Sequence, residues 1–149
     1  MEKGSLFSKA VNGQGYLKAG FMGFPGSGKS FTAAEAAIGL VKMLNDKRPV
    51  FALDTEKGFE YLVEKFEKAG VELQIARTRA FVDLLQAVDQ AEKEASVLIV
   101  DSITHFWEEV QEAYKKEHRR TMLKFQDWGP IKATWKRYTE KYLNSKVHI

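Results

Sequence analysis

Short apolar runs alternate along the chain with longer segments in which apolar residues recur every three or four positions. The runs at residues 50–53 and 97–100 predict buried strands, and residues 16–24 predict a weaker strand that Lys18 and Gly20 interrupt. Alternating apolar positions at residues 71–75 indicate a half-exposed edge strand. The apolar residues at 147–149 look like the beginning of one more strand.

The segments between these runs predict helices, because their apolar residues fall on one face. Residues 30–44 form an Ala-rich helix of this kind. Further helical faces consist of Phe59, Leu62, Val63 and Phe66; of Phe81, Leu84, Leu85 and Val88; of Phe106, Trp107 and Val110; and of Ile131, Trp135, Tyr138 and Tyr142. Strands that alternate with helices predict an α/β fold, with a mainly parallel sheet between layers of helices. Such sheets bind ligands at the carboxyl ends of their strands.

Length and composition describe one ordinary domain. The chain has 149 residues and no cysteine, which suits a reducing compartment. No apolar run reaches the length of a signal peptide or a membrane span. We expect an N-terminal extension at residues 1–15, a domain at residues 16–149, no association with membranes, and a cytoplasmic location.

The net charge of +3 is unevenly distributed. From Thr104 onward there are 10 Lys and Arg against 6 Asp and Glu, whereas the preceding part has 13 against 14. The excess of positive charge at the C-terminal end is a mild indication of a polyanionic partner.

A phosphate-binding motif stands between the first predicted strand and the first predicted helix. Residues 23–30, GFPGSGKS, fit the pattern GxxxxGK[ST] in full. Glycines let successive N–H groups converge on phosphate oxygens, and the start of the helix adds partial positive charge. Lys29 would reach the β- and γ-phosphates and assist catalysis, and the Ser30 hydroxyl would coordinate Mg²⁺. We therefore expect ATP and Mg²⁺ as ligands, with a nucleotide site formed by Gly23, Phe24, Pro25, Gly26, Ser27, Gly28, Lys29, Ser30 and Phe31.

Two carboxylates follow predicted strands at the same edge of the sheet. Asp101 could hold a water of the Mg²⁺ shell, beside Ser30. Because Ser102 and not a glutamate comes next, the group that activates water for hydrolysis must come from elsewhere, and Glu56 is the candidate. Asp54 and Thr55 either support Glu56 or cap the following helix. The alternative for Glu56 is an exposed residue in the first helical turn.

Three segments in this order resemble the ATPase core of the RecA family: GFPGSGKS, FALDTE at the next strand tip, and VLIVDSIT further on. The resemblance covers about residues 16–149. Within the family, the chain looks most like the minimal RecA-like ATPases of bacteriophages, which act in recombination and single-strand annealing. The resemblance implies hydrolysis of ATP coupled to single-stranded DNA, a homo-oligomer in the form of a ring or filament, and the cytoplasm of a bacterium or phage-infected host. Glu56 would activate water and Asp101 would be the acid of the metal site.

The same resemblance places a DNA-binding loop near residues 115–128, KKEHRRTMLKFQDW. Arg119, Arg120 and Lys124 could contact phosphates, and Phe125 and Trp128 could stack on bases. The alternative is a solvated basic helix end with Phe125 and Trp128 in the core. The family has a further strand that carries a sensor of the γ-phosphate, and we expect a sheet truncated at this strand, since the sequence ends at Ile149.

Two other functions fit the phosphate-binding motif. A small nucleoside or nucleotide kinase would need an Arg-rich lid, for which only Arg119 and Arg120 are candidates, and its acceptor-binding motif is not evident. A nucleotide-gated scaffold that hydrolyses ATP slowly is the other.

Overall fold

The computed structural model describes residues 7–149, in which helices and strands alternate as the apolar pattern predicts. The helices are α1 (Lys29–Leu44), α2 (Val63–Ala69), α3 (Phe81–Glu94), α4 (Ile103–Glu117) and α5 (Trp128–Asn144). The strands are β1 (Val50–Asp54), β2 (Leu73–Ala76) and β3 (Val97–Asp101), and single 3-10 turns lie at Phe59–Leu62 and Phe125–Asp127. No helix in these described residues is both long and apolar enough to cross a membrane.

The three strands form a parallel sheet in the order β2-β1-β3, with β2 at an edge as predicted. In this register Val50 lies opposite Val97, and Asp54 lies opposite Asp101. The α/β prediction is confirmed, and the parallel register brings the polar ends of β1 and β3 to the same edge of the sheet.

Helices cover both faces of the sheet, which explains the continuous apolar runs of β1 and β3. Val50 and Ala52 pack with α1 and α2, whereas Leu53 and Leu98 pack with α3, α4 and α5. Phe59, Phe66 and Phe106 are almost completely buried in these two layers. Each such side chain contributes about 1.5–3 kcal/mol when it leaves water.

The prediction of a strand at residues 16–24 is wrong in its extent. Only Leu17 and Ala19 make ladder-like contacts: the Leu17 carbonyl accepts from Ile149 N at 3.0 Å, and Ala19 N donates to the Ile149 carbonyl at 2.9 Å. On its other side the same C-terminal segment pairs with β3, where Leu98 N donates to the His148 carbonyl at 2.8 Å. Two backbone hydrogen bonds are too few to define a strand, and within the described chain Ile149 alone offers them.

Lys18, which weakened the strand prediction, is the residue that holds this segment in place. Its ammonium donates to the Ser145 hydroxyl at 2.6 Å, the Val147 carbonyl at 2.6 Å and the Ser145 carbonyl at 3.1 Å. Burial lowers the pKa of Lys18. His148 Nδ1 accepts a hydrogen bond from Leu17 N at 2.9 Å, and burial likewise lowers the pKa of His148, assisted by the charge of Lys18.

Candidate nucleotide-binding site

The phosphate-binding motif forms a tight loop directly before α1. Gly26 and Gly28 have φ values of 78° and 86°, a region that other residues adopt only with strain. A side chain at position 23 would meet a different obstacle, because its Cβ would lie 2.6 Å from Ser27 Oγ and the Ser27 side chain would have to move. No side chain among the described residues caps the start of α1, which leaves its first N–H groups free for an anion.

The Lys29 side chain lies over this loop. Its ammonium donates to the carbonyls of Gly23 at 3.0 Å and of Phe24 at 2.9 Å. Both acceptors belong to the same loop as the expected phosphate-binding amides, so the charge of Lys29 is already at the phosphate position.

The loop carries aromatic side chains toward solvent. Phe24 is 87% exposed and Phe31 is 52% exposed. The Lys65 ammonium lies 4.3 Å from the centre of the Phe31 ring, close enough for a cation–π contact. Phe24, Pro25 and Phe31 were predicted to belong to the nucleotide site; of these three, Phe31 contacts α2 through Lys65.

Ser30 and Asp101 come together although 71 residues separate them in the sequence. The Ser30 hydroxyl donates a hydrogen bond to Asp101 Oδ2. A hydroxyl and a carboxylate are suitable ligands for Mg²⁺, which needs few protein ligands when phosphates and waters supply the others. Within residues 7–149 no group of three or more His, Asp or Glu side chains could hold a metal alone. The Ser30–Asp101 pair therefore fits a metal that arrives with a phosphate ligand.

This pair also borders a cleft of about 500 Å³, which lies between residues 17–23, α1 and β3. The cleft is apolar along β3 and α1, where Val100 and Ala37 line it, and polar at the end formed by Lys29, Ser30 and Asp101. Solvent can thus reach the two candidate metal ligands.

Asp54, the first polar residue at the end of β1, has a structural role. It is 1% exposed, and its carboxylate accepts from the backbone N–H groups of Glu56 at 3.1 Å, Gly58 at 3.2 Å and Phe59 at 3.0 Å. These bonds wrap the strand-tip loop, residues 55–58, around one buried carboxylate.

Thr55 fastens the tip of β1 to the tip of β3. Its backbone N–H donates to the Asp101 carbonyl at 2.7 Å, and its hydroxyl also lies 3.1 Å from that carbonyl. The same hydroxyl oxygen accepts from Ser102 N at 2.9 Å. The peptide bond between Asp101 and Ser102 is cis. Thr55 therefore fixes the strand-tip loop relative to the candidate metal ligand Asp101.

Glu56 projects from this loop and is not a helical residue, since the following 3-10 turn begins at Phe59. Its side chain is 53% exposed, and its Oε1 lies 3.9 Å from Nδ1 of His105. The loop passes beside the phosphate loop: a Cβ on Gly58 would lie 3.8 Å from Ser30 Oγ. Glu56 thus stands near the candidate metal site with its carboxylate accessible to water.

The sequence motifs gave no role to His105. His105 lies in the first turn of α4, four residues after Asp101. This position could have identified His105 as a neighbour of the strand-tip loop. The helix after β3 begins at the same edge of the sheet as the tip of β1.

The five predicted DNA-binding residues divide into two groups. Arg120 and Trp128 are held by the fold: Arg120 Nη2 lies 3.4 Å from Oδ1 of buried Asp127, and Trp128 stacks on Trp107 with 6.3 Å between ring centres. The second group, Arg119, Lys124 and Phe125, is exposed, and Phe125 is 96% exposed. The exposed group lies in the segment of residues 119–125, called the basic loop below.

Asp127 organises the end of the basic loop. It accepts from Lys124 N at 2.7 Å and from the Tyr114 hydroxyl at 3.2 Å. The hydrogen bond from Lys124 N and the nearby charge of Arg120 lower the pKa of Asp127, although burial opposes them. The alternative that placed both Phe125 and Trp128 in the core holds only for Trp128, which packs against the core.

The comparisons with known proteins give one match. A family model described as an AAA domain matches residues 16–149. Neither the curated proteins nor the solved structures include one that matches the chain. The matched span contains the phosphate loop, the strand-tip loop and Asp101.

Proposed function

Because the chain belongs to the AAA domain family, which indicates a nucleotide-binding domain of the ATPase kind, we propose that it binds ATP with Mg²⁺ and hydrolyses it in response to single-stranded DNA. The ATPase part is supported by the family and by the geometry of the site. The DNA part is supported by the basic loop and by the resemblance to RecA-family sequences.

The observation that carries the proposal is the contact between Ser30 and Asp101. A glycine-rich turn could match the phosphate-binding motif by accident. Such a turn would have no reason to bring its last hydroxyl to a carboxylate at the end of a neighbouring strand. That pairing is what an Mg²⁺ site between a phosphate loop and a strand tip requires.

The phosphate groups of ATP would bind to the N–H groups of residues 23–30 and to the start of α1. Lys29 would exchange its carbonyl partners for phosphate oxygens and neutralise charge on the β- and γ-phosphates. Ser30 and Asp101 would hold Mg²⁺, Asp101 directly or through a water. When bound, Mg²⁺ would supply positive charge that offsets the negative charge of the phosphates.

Glu56 would accept the proton of the attacking water. The water oxygen bonds to the γ-phosphorus, the bond from that phosphorus to the β,γ-bridging oxygen breaks, and ADP and phosphate leave. Support comes from the position of the strand-tip loop beside Ser30 and from the exposure of the carboxylate.

Single-stranded DNA would bind to the basic loop. Arg119 and Lys124 provide charge for phosphates, and Phe125 provides an exposed ring for base stacking. Arg120 and Trp128 would act indirectly, by shaping the loop. The resemblance to minimal bacteriophage ATPases further supports a role in recombination or annealing, a homo-oligomeric ring or filament, and the cytoplasm of a bacterium or an infected host.

The test of hydrolysis is ATP turnover by the natural chain and by Glu56→Gln, with and without single-stranded DNA at low salt. We expect Glu56→Gln to bind ATP normally and to lose at least about 100-fold in kcat, the range for a general base. Glu67→Gln, an exposed glutamate on α2, is the matched control and should turn over normally. Normal turnover by Glu56→Gln would contradict the assignment of Glu56, and transfer of phosphate to an added nucleoside monophosphate would instead indicate a kinase.

The test of DNA binding compares exposed residues in the basic loop with exposed residues on α5. Phe125→Ala should weaken binding of single-stranded DNA by about 1–3 kcal/mol, roughly 5- to 150-fold, whereas Leu143→Ala should have no effect. Lys124→Gln should reduce the slope of log K against log salt by about 0.7, and Lys132→Gln should not. Equal effects of the loop and control substitutions would contradict the DNA-binding assignment.

A further inference from the structure

His105 contacts the first two residues of the strand-tip loop, Thr55 and Glu56. Its Nδ1 lies 2.6 Å from Thr55 Oγ1 and 3.9 Å from Glu56 Oε1, and its side chain is 21% exposed. Among the described residues, no other side chain makes a polar contact with the Glu56 carboxylate. His105 is therefore the side chain that can restrict the orientation of the Glu56 carboxylate.

The hydrogen bonds of Thr55 indicate where the proton of His105 lies. Thr55 Oγ1 accepts from Ser102 N at 2.9 Å and has one proton, which the Asp101 carbonyl can accept at 3.1 Å. With that proton donated to the Asp101 carbonyl, Nδ1 of His105 acts as the donor in its 2.6 Å contact with Thr55. A nearby carboxylate also favours a proton on Nδ1, since the N–H faces negative charge.

We propose that His105 is a positioning residue for Glu56: its Nδ1–H donates to Thr55 Oγ1 and attracts the Glu56 carboxylate, which orients that carboxylate for the attacking water. The inference rests on the proposed ATPase function. Within the described chain the polar contacts of His105 are to Thr55 and Glu56 and not to Lys29 or Ser30, so it would change the rate of hydrolysis and not the affinity for ATP.

The position of His105 in the fold makes it suitable for this role. It stands in the first turn of α4, which follows Asp101 and Ser102 directly. The helix is anchored on α3, α5 and the sheet through almost completely buried Phe106 and through Val110. A side chain on such a rigid element can hold an exposed glutamate better than the strand-tip loop alone.

The experiment replaces His105 by side chains that differ in where they place a polar group. Asn places its amide near the position of Nδ1, Gln places it nearer to Nε2, and Leu has none. His118→Asn is the matched control, since His118 lies beyond the other end of α4. The measurements are kcat, KM and the ATP dissociation constant without DNA, together with the midpoint of thermal unfolding.

If His105 positions Glu56, His105→Leu and His105→Gln lower kcat by about 10-fold or more, while the ATP dissociation constant stays within about twofold. His105→Asn restores most of kcat, and His118→Asn behaves as the natural chain. Normal kcat for His105→Leu would overturn the proposal. A loss of kcat that Asn does not restore, or one that only accompanies a lower unfolding midpoint, would show a structural role and overturn it as well.

A second measurement tests whether His105 acts through Glu56. In a Glu56→Gln background, His105→Leu should cause no further loss of kcat, since residues that act as a unit are not additive. Independent, multiplicative losses would contradict the proposal. If Glu56→Gln keeps normal turnover, the catalytic assignment of Glu56 fails; if Glu56→Gln is inactive and His105→Leu is active, only the positioning role fails.

Discussion

The strand-tip loop and the basic loop are each built around a buried aspartate, and they differ in what satisfies it. Asp54 and Asp127 are both 1% exposed. Asp54 accepts from three backbone N–H groups within five residues of itself. Asp127 accepts from one backbone N–H and from the side chains of Tyr114 and Arg120.

This difference shows how each loop is made rigid. Only proline removes a backbone donor, so we expect the loop that carries Glu56 to keep its shape when its other side chains change. Side-chain donors are contributed from α4 and the loop itself, so the shape of the basic loop depends on the charge of Asp127 and Arg120. The strand-tip loop is thus held around Asp54 by its own backbone, and the basic loop is held around Asp127 largely by side chains.

The largest expected effect is that of Asp54→Ala. It would leave the N–H groups of Glu56, Gly58 and Phe59 without their acceptor next to a buried position, at a cost of about 3 kcal/mol or more in the free energy of unfolding. Urea unfolding measures this, with Asp89→Ala on the surface as a control that should change stability by less than about 1 kcal/mol. A loss as small as that of the control would show that water replaces the carboxylate and that the loop is not determined locally.

The second-largest expected effect is a difference in stability between substitutions at two neighbouring arginines, Arg119 and Arg120. Arg120→Met removes a half-buried partner of Asp127 and should cost about 1–2 kcal/mol of stability, whereas Arg119→Met should cost almost nothing. For the affinity of single-stranded DNA we expect Arg119→Met to reduce the salt slope directly. Equal changes in stability for the two substitutions would mean that Arg120 does not support the loop.

A smaller effect is a dependence of stability on pH from Asp127. Because its pKa is below the ordinary value of 3.8 in the folded state, it stabilises the fold above that ordinary value. The contribution is lost as pH falls through the lower folded-state pKa. The difference in unfolding free energy between the natural chain and Asp127→Asn should therefore be constant at neutral pH and shrink in acid. A difference that stays constant throughout would contradict the pKa shift.

The smallest effect concerns Lys57 in the strand-tip loop. Its φ of 61° is costly for lysine and easy for glycine. Lys57→Gly should stabilise the protein by about 0.5 kcal/mol, because relief of strain exceeds the added entropy of the unfolded chain. Lys57→Ala is the control and should give no gain; a gain for Ala would show that φ is not the cause.

The sequence predicted the features that depend on local pattern. The apolar runs of β1 and β3 were recognisable because both faces of the sheet are covered, and the spacing of Gly26, Gly28 and Lys29 was sufficient to locate the phosphate loop. The prediction of a strand at residues 16–24 was wrong in its extent for the opposite reason. The pairing of this segment depends on partners at the far end of the chain, and only two bonds form.

Roles that depend on distant neighbours were not predictable. Nothing near Arg120 in the sequence reveals that Asp127 would be buried, and Trp128 joins Trp107 only because α4 and α5 pack together. His105 meets Thr55 across 50 residues. Three polar residues follow the apolar run of β1, and the structure gives each a different place. Asp54 is buried and structural, Thr55 connects β1 to β3, and Glu56 is accessible to water.

The two hydrogen bonds of Lys29 to its own loop have a consequence for ligand selectivity. The carbonyls of Gly23 and Phe24 compete within the molecule for the ammonium group. Phosphate oxygens carry charge and win this competition, because charge-assisted hydrogen bonds are stronger than those to neutral carbonyls. A nucleoside or monophosphate that cannot reach Lys29 leaves it on the carbonyls and gains nothing from it. We therefore expect the loop to discriminate by the number of phosphates, with binding of ADP and ATP but not of AMP.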